Sequence, residues 1–439
     1  MGQTGSPLRG SFVALLLIAG LVCCCMICAQ EPMIPTLRGN ITAVDPAGGF
    51  DVASYHVITS ANTEFYVLQG PKKDPATLRG EIQVGTYVQV IGDKDRHDRT
   101  VIAHQVKVRS QDRTVSGSGV IDRMIAPGSQ PVFRADGYVI RMAAGTDVRF
   151  STGLSTIDDV APGTWVRYEG RPNSSGELVA ARLAFARPKL HGSKGDPASL
   201  AQVTTFPPGS IIDFDGSFNT NRAKKKPEDT PGGQCGWYPV LDVPAAQEHV
   251  RQIGLSLIPK YQRELPDDSP EKIPFRFYVV EEKELRSDLS CHEGLVLIPG
   301  DVINRIQGQD QLAAVIADGV AASLQRQNAR IGVELGLADA AEVVFFGGAL
   351  GVAGAVVKHE IMRKLEDQRG RVALGLMADA GYDPWQAPEA WRRLDPKQLP
   401  KDLSRLKYPD TAGHMLEILN LQYRRDRQVA PAGSASLAP

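Results

Sequence analysis

Between residues 36 and 187 apolar and polar positions alternate. The runs are short, rich in Val, Ile and Thr, and broken by Gly, Asp and Asn; Thr100-Val101-Ile102-Ala103-His104-Gln105-Val106-Lys107-Val108 is one. A period of two gives one buried and one solvated face, so the pattern predicts antiparallel strands joined by turns. It also occurs twice. Gly85-Thr86-Tyr87-Val88-Gln89-Val90-Ile91-Gly92 returns as Gly163-Thr164-Trp165-Val166-Arg167-Tyr168-Glu169-Gly170. Ala61-Asn62-Thr63 matches Ala144-Gly145-Thr146, and Gly39-Asn40-Ile41 matches Gly119-Val120-Ile121. Each copy has room for about five strands, and closing such a sheet removes its exposed edges. The expectation is two small all-β, OB-like barrels at residues 36–110 and 115–187.

The period changes after residue 241. Val250, Ile253, Leu255, Leu257 and Ile258 make one apolar helical face. Pro274–Val280 and Gly294–Ile298 read as strands. Gln311–Gln325, much of Ala340–Ala380, and Met415–Tyr423 read as helices. The second half is therefore expected to be mainly α, within an α+β domain at 241–425. Residues 188–240 form a Gly-, Pro- and charge-rich linker. Its Lys224-Lys225-Lys226 is answered by Glu228-Asp229, which makes it a solvated loop rather than a binding patch. Residues 426–439 are expected to be a disordered tail. The apolar stretch Val343–Val357 is Gly-rich and reads as a buried or groove-lining helix rather than a membrane span.

One further apolar run, Ser11–Val22, follows Arg9 and leads into Cys23-Cys24-Cys25-Met26-Ile27-Cys28-Ala29-Gln30. Residues 1–30 read as a secretory signal or, if uncleaved, as a signal anchor. The expected location is outside the cytoplasm: periplasm, cell envelope or extracellular space. Four of the 6 cysteines fall in this segment, leaving Cys235 and Cys291. In an exported chain these two either form a disulfide or stay as separate buried thiols.

Composition narrows the partners. A length of 439 residues suggests about three domains. The net charge of −1 offers no basic field for nucleic acid or an anionic membrane surface. Membrane contact is expected only through an uncleaved N-terminal anchor. In the first barrel Lys94, Arg96 and Arg99 alternate with Asp93, Asp95 and Asp98, so charge cancels locally. Tyr87 and Trp165 are read as core-facing. The barrels are therefore expected to be spacer or protein-docking modules. They resemble small exported barrel repeats of bacterial envelope proteins.

Two runs carry a second resemblance, Leu312-Ala313-Ala314-Val315-Ile316-Ala317 and Leu376-Met377-Ala378-Asp379-Ala380-Gly381-Tyr382-Asp383-Pro384. With the strands before them, they make residues 241–425 resemble zinc metallopeptidases of the HtpX and CAAX-prenyl-protease type. The resemblance implies an HExxH helix following the first run. Its two imidazoles, four residues apart, would reach one zinc, and its Glu would act as base. A Glu on a later helix would be the third ligand. At those positions this sequence has Asp318 and Ala322 for the histidines, Gly319 for the base and Gln368 for the third ligand. A further landmark, a His-Pro pair, is Tyr408-Pro409 here.

A carboxylate, a methyl group and a neutral amide are a poor zinc set, and glycine supplies no base. No catalytic residue, no metal ligand and no cofactor are expected. Asp318 reads as a partly solvated polar residue in the old cleft, and Gln368 as its hydrogen-bond partner. His359-Glu360 starts like the zinc motif, but on a continuous helix it lies about 13 Å along the axis from Gln368. Glu366 and His292-Glu293 are no better placed. The function read from the sequence is an exported pseudo-peptidase, its fold kept to bind a peptide or protein partner or to act as a scaffold. Strand Gly294–Ile298 is the edge on which a peptide would add. The alternatives are an active zinc endopeptidase with substitute ligands and a purely structural envelope protein.

Overall fold

The computed structural model describes residues 35–45, 48–52, 55–69, 71, 73–151, 153–187, 211–212, 218–219, 238–281, 294–327, 351–394 and 411–423. The N-terminal segment, Cys235, Cys291, Tyr408 and the tail lie outside the described residues.

The first repeat contains β1 (Leu37–Val44), β2 (Phe50–Val52), β3 (Tyr55–Ile58), β4 (Glu64–Gln69), helix α1 (Pro75–Gly80), β5 (Tyr87–Asp95) and β6 (Thr100–Arg109). β1 pairs with β2 and β5, β2 with β3, and β5 with β6. A parallel β3–β6 pairing closes the ring, and β4 continues along the same edge of β6. The second repeat contains β7 (Val115–Ala126), β8 (Val132–Ala135), β9 (Tyr138–Ser151), β10 (Trp165–Pro172) and β11 (Leu178–Ala186), closed in the order β10-β11-β9-β8-β7. One long strand, β9, does the work that β3 and β4 share in the first barrel.

The repeated residues occupy the same places. Thr63 and Thr146 each donate to a carbonyl of the last strand, Ala103 and Ala180, at 2.8 Å. Gly92 and Gly170 each sit at a register shift in the fourth barrel position. A Cβ at Gly92 would lie 2.0 Å from the Ile102 oxygen, and one at Gly170 2.5 Å from the Val179 oxygen. The bulge brings two backbones together at a point that admits no side chain. Tyr87 and Trp165 are half-buried and alternate with the fully buried Val88 and Val166, so the aromatics face outward rather than into the core.

Three two-residue strands, β12 (Ile211–Ile212), β13 (Phe218–Asn219) and β14 (Tyr238–Pro239), form a small sheet before the helical region. That region runs α2 (Pro244–Leu257), α3 (Lys260–Glu264), β15 (Arg276–Val280), β16 (Leu295–Pro299), α4 (Gly300–Arg305), α5 (Gly308–Leu324), α6 (Gly351–Asp379), α7 (Ala387–Arg393) and α8 (Thr411–Gln422). β15 and β16 are parallel, and α5 packs on β16. On α2 the buried face is Val250, Ile253, Gly254 and Leu257; Leu255 is 40% exposed, because its position falls on the far side of the turn. No helix among the described residues is long and apolar enough to cross a membrane.

The two barrels differ in their cores. The first has its own, around Ile41, Phe50, Val57, Val90 and Val106. The second shares one continuous core with the helices, running from Phe133 and Phe185 through Val296 and Ile316 to Leu374 and Leu419.

Candidate functional site

Helix α5 is made of small and apolar residues, and nearly every position is buried; Asp318 is the exception in its middle. A helix apolar all round belongs inside a domain. Its start is secured by Gln311, whose Oε1 accepts the Gln307 N–H at 2.8 Å, and by Asp310 in the first turn. Helix α6 packs along it. α6 ends at Gly381, whose φ is +85°; Tyr382 N–H returns to the Met377 carbonyl and Gly381 N–H to that of Ala378. Asp383 then caps the next turn, accepting from Trp385 N–H at 3.0 Å, with Pro384 at its first position. The run Ala380–Pro384 is thus a helix stop joined to a helix start.

Asp318 is reached from α6 by Arg369. The Arg369 Nε lies 3.5 Å from the Asp318 carboxylate, and its Nη2 lies 3.9 Å from Glu366 one turn earlier. All three side chains are largely buried. A guanidinium therefore stands between two carboxylates. Gly319 lies under β16, where a Cβ would come within 2.6 Å of Val296 Cγ1. Ala322 is buried at 2% exposure.

Gln368 turns toward the second barrel. Its Nε2 donates to the Ser118 carbonyl at 2.7 Å and to Asp136 Oδ1 at 3.1 Å, and its Oε1 accepts from Gln327 at 3.3 Å. Helices α5 and α6 pack on one another, but the residue of α6 paired with Asp318 is Arg369, where the resemblance implied Gln368. Among the described residues no group of three or more His, Cys, Asp or Glu is arranged to hold a metal ion. The donor set at the family positions does not fit zinc: the Asp318 carboxylate is ion-paired, Ala322 has no donor atom, and the Gln368 amide is bonded elsewhere.

The charged residues that matter most join α6 to the barrel. Arg371 donates to Asp136 Oδ1 at 2.6 Å and to the Asp136 carbonyl at 3.1 Å, and stands over the Tyr138 ring at 5.5 Å. Tyr168 gives its hydroxyl proton to the other Asp136 oxygen at 2.7 Å. Burial, with Asp136 beside it, pushes the Tyr168 phenol well above its ordinary range, so it stays a neutral donor. Burial alone would lower the Arg371 pKa, but Asp136 and the two tyrosines more than reverse this and raise it.

A second cluster lies further along α6. Arg134 of β8, 4% exposed, donates to Asp122 at 2.9 Å, to the Gly375 carbonyl at 3.1 Å and to Asp379 at 2.6 Å. A Cβ at Gly375 would lie 2.7 Å from the Arg134 guanidinium carbon, so glycine is what lets the cation reach the helix backbone. Gln325, just past α5, accepts from Val120 N–H at 2.8 Å and donates to its carbonyl at 3.3 Å, as a strand neighbour would. Beside these contacts a cavity of about 890 Å³ separates β7, β10 and β11 from α6.

None of Asp122, Arg134, Asp136 or Gln325 was marked as a site residue by the sequence patterns, and Arg369 and Arg371 entered only as neighbours of Gln368 in the run Gln368-Arg369-Gly370-Arg371. The signal was available in the comparison of the repeats. Strand pairing aligns Arg134 with Asp51 and Tyr138 with Tyr55. A buried arginine at a position that is acidic in the sister barrel marks a surface with a different neighbour.

One family model, a domain of unknown function (DUF5666), matches residues 38–107, which is the first barrel. No curated protein matches the chain.

Proposed function

We propose that this chain is an exported, non-catalytic binding or scaffold protein in which a metallopeptidase-like helical domain, fused to an OB-like barrel, is retained without zinc chemistry. The observation that carries the reading is Arg369, set between Asp318 and Glu366. A fixed guanidinium there supplies internally the positive charge that a metal would bring, and it uses the carboxylate a metal would need. The packing of Gly319 on Val296 supports the same reading, since a general base at that position requires the Val296 side chain to give way. Its partner is a peptide or protein. The outer edge of β16 is the backbone on which a peptide would add as a strand.

Metal analysis and casein hydrolysis on the chain without its first 30 residues test this proposal. The expected result is no stoichiometric zinc and no cleavage. One bound equivalent of zinc, or hydrolysis stopped by a chelator, overturns it. Replacing Asp318→His, Gly319→Glu, Ala322→His and Gln368→Glu together is expected to bind zinc only when Val296→Ala is added to make room at position 319.

A further inference from the structure

A second cavity, of about 650 Å³, lies where the two barrels and α8 meet. Its size is that of small-molecule sites, which combine apolar walls with a few placed polar groups. Tyr87 and Arg109 come from the first barrel, Arg113 from the crossing between barrels, Tyr138 from the second, Glu417 from α8, and Trp385 completes the wall.

The charges in this cavity do not balance. Its carboxylate, Glu417, is ion-paired with Arg113 and also accepts from Asn40 at 3.4 Å. Arg109 is left over. Its guanidinium lies on the Tyr87 ring, 3.9 Å from the centroid, and its Nε is buried without a hydrogen-bond partner. Among the described residues no carboxylate is ion-paired with it. Arg109 is half-buried and shares only the field of Glu417, whose carboxylate Arg113 already holds; a partly desolvated cation without an ion pair of its own is a place where an added anion is stabilised. Loss of solvent lowers the Arg109 pKa; Glu417 opposes this and Arg113 adds to it, and the net direction is down.

We propose that this junction cavity binds a small organic anion, a carboxylate or phosphate monoester with a planar or aliphatic body. Arg109 takes the anionic oxygens, and Tyr138 and Trp385 take the body. A guanidinium held over Tyr87 keeps N–H groups free at its edge, and such a fork suits two-oxygen acceptors. Because both barrels and α8 line the cavity, the ligand would fasten the first barrel to the rest of the molecule. The inference is independent of the pseudo-peptidase reading and uses none of its residues.

The test uses the whole chain with two probes, benzoate and phenyl phosphate. Calorimetry is expected to show one saturable site for at least one probe, weakened at least about tenfold in Arg109→Gln, a loss of roughly 1.4 kcal/mol. Binding of benzoate alone assigns a carboxylate ligand, and binding of phenyl phosphate alone a phosphate ester. In the unmodified chain the bound probe is expected to protect Arg109 from phenylglyoxal, read by peptide mass spectrometry. This second measurement decides the matter if Arg109→Gln does not fold. Failure of both probes to saturate, equal affinity in Arg109→Gln, or an Arg109 that reacts equally with and without probe overturns the proposal.

Discussion

The two barrels share strand closure, the glycine bulge and the threonine-to-carbonyl bond, yet they are tied to the helices in different ways. The first keeps a separate core and meets the helical region through the half-buried Val84, backbone contacts and a few polar side chains: Gly85 against the Leu416 carbonyl, Asn420 on the Val84 carbonyl, and Arg113 with Glu417. The second has no core of its own apart from the helices, and buried arginines cross the join in both directions. Even the tyrosine at the matched position shows the change. Tyr55 receives Lys94 from within its own barrel, whereas Tyr138 receives Arg371 from α6. One repeat is a module resting against the molecule, and the other is half of a domain.

Removing Arg134 should break this comparison most sharply. Arg134→Met leaves Asp122 buried without its cation, a class of change that costs about 3–5 kcal/mol, and leaves the exposed Asp379 to Arg123 alone. The four tryptophans, at 165, 237, 385 and 391, all lie outside the first barrel. Tryptophan fluorescence in urea therefore reports the second barrel together with the helices, and hydrogen exchange reports the first barrel separately. The fluorescence transition should fall by the full amount while exchange in β1, β5 and β6 is unchanged. Equal losses in both would mean that the first barrel is not an independent unit.

Two matched glycines give the next effect. Gly85 and Gly163 have φ of +91° and +95° in the same turn of the two repeats. Alanine at either carries about 1–2 kcal/mol of backbone strain. At Gly163 the nearest outside atom is 3.8 Å from the added carbon, but at Gly85 the Leu416 carbonyl is 2.5 Å away and belongs to backbone. Gly85→Ala should therefore also push the first barrel off α8. Small-angle scattering should show a larger radius of gyration, and limited proteolysis should open residues 109–114. Gly163→Ala should do neither.

These contacts also show which parts of the molecule could be read from the chain. The barrels were legible because their turn, bulge and threonine positions are local demands of backbone geometry, and they recur with the repeat. Helices α5 and α6 were legible from composition; that Arg369 rather than Gln368 pairs with Asp318 was not. The join was not. Arg134 and Asp136 stand two residues apart in an otherwise apolar run, Arg371 ends a charged one, and nothing nearby in sequence states which remote backbone they meet. The outward turn of Tyr87 and Trp165 was missed for a related reason: an aromatic in an alternating strand is apolar enough to suit either face, and Val88 and Val166 settled which one is the core.

A smaller effect should treat the barrels alike. Thr63→Val and Thr146→Val each remove a bond to a strand carbonyl and one accepted from a backbone N–H, that of Ser60 or Ala143, a loss of about 1 kcal/mol per bond. The first should appear in hydrogen exchange of the first barrel only, and the second in the fluorescence transition. A large inequality would show that the shared core of the second barrel reaches the β9–β11 pairing.

The smallest expected effect is a titration at the first barrel's contact. Burial by itself would raise the Glu417 carboxyl, but Arg113 and Arg109, with His414 adding to them, hold it below its ordinary value of 4.5. The folded state thus binds this proton less readily than the unfolded chain. The contribution to stability is complete above the ordinary value and is lost as pH falls through the depressed one. Protonation leaves Arg113 without its carboxylate, so the first barrel should loosen from α8 on the acid side while the barrel itself stays folded. Following the radius of gyration from neutral to acid pH, in the unmodified chain and in Glu417→Gln, isolates the step. The variant should be looser already at neutral pH and should lack the acid transition; an identical acid profile in the two proteins would move the origin of the loosening away from Glu417.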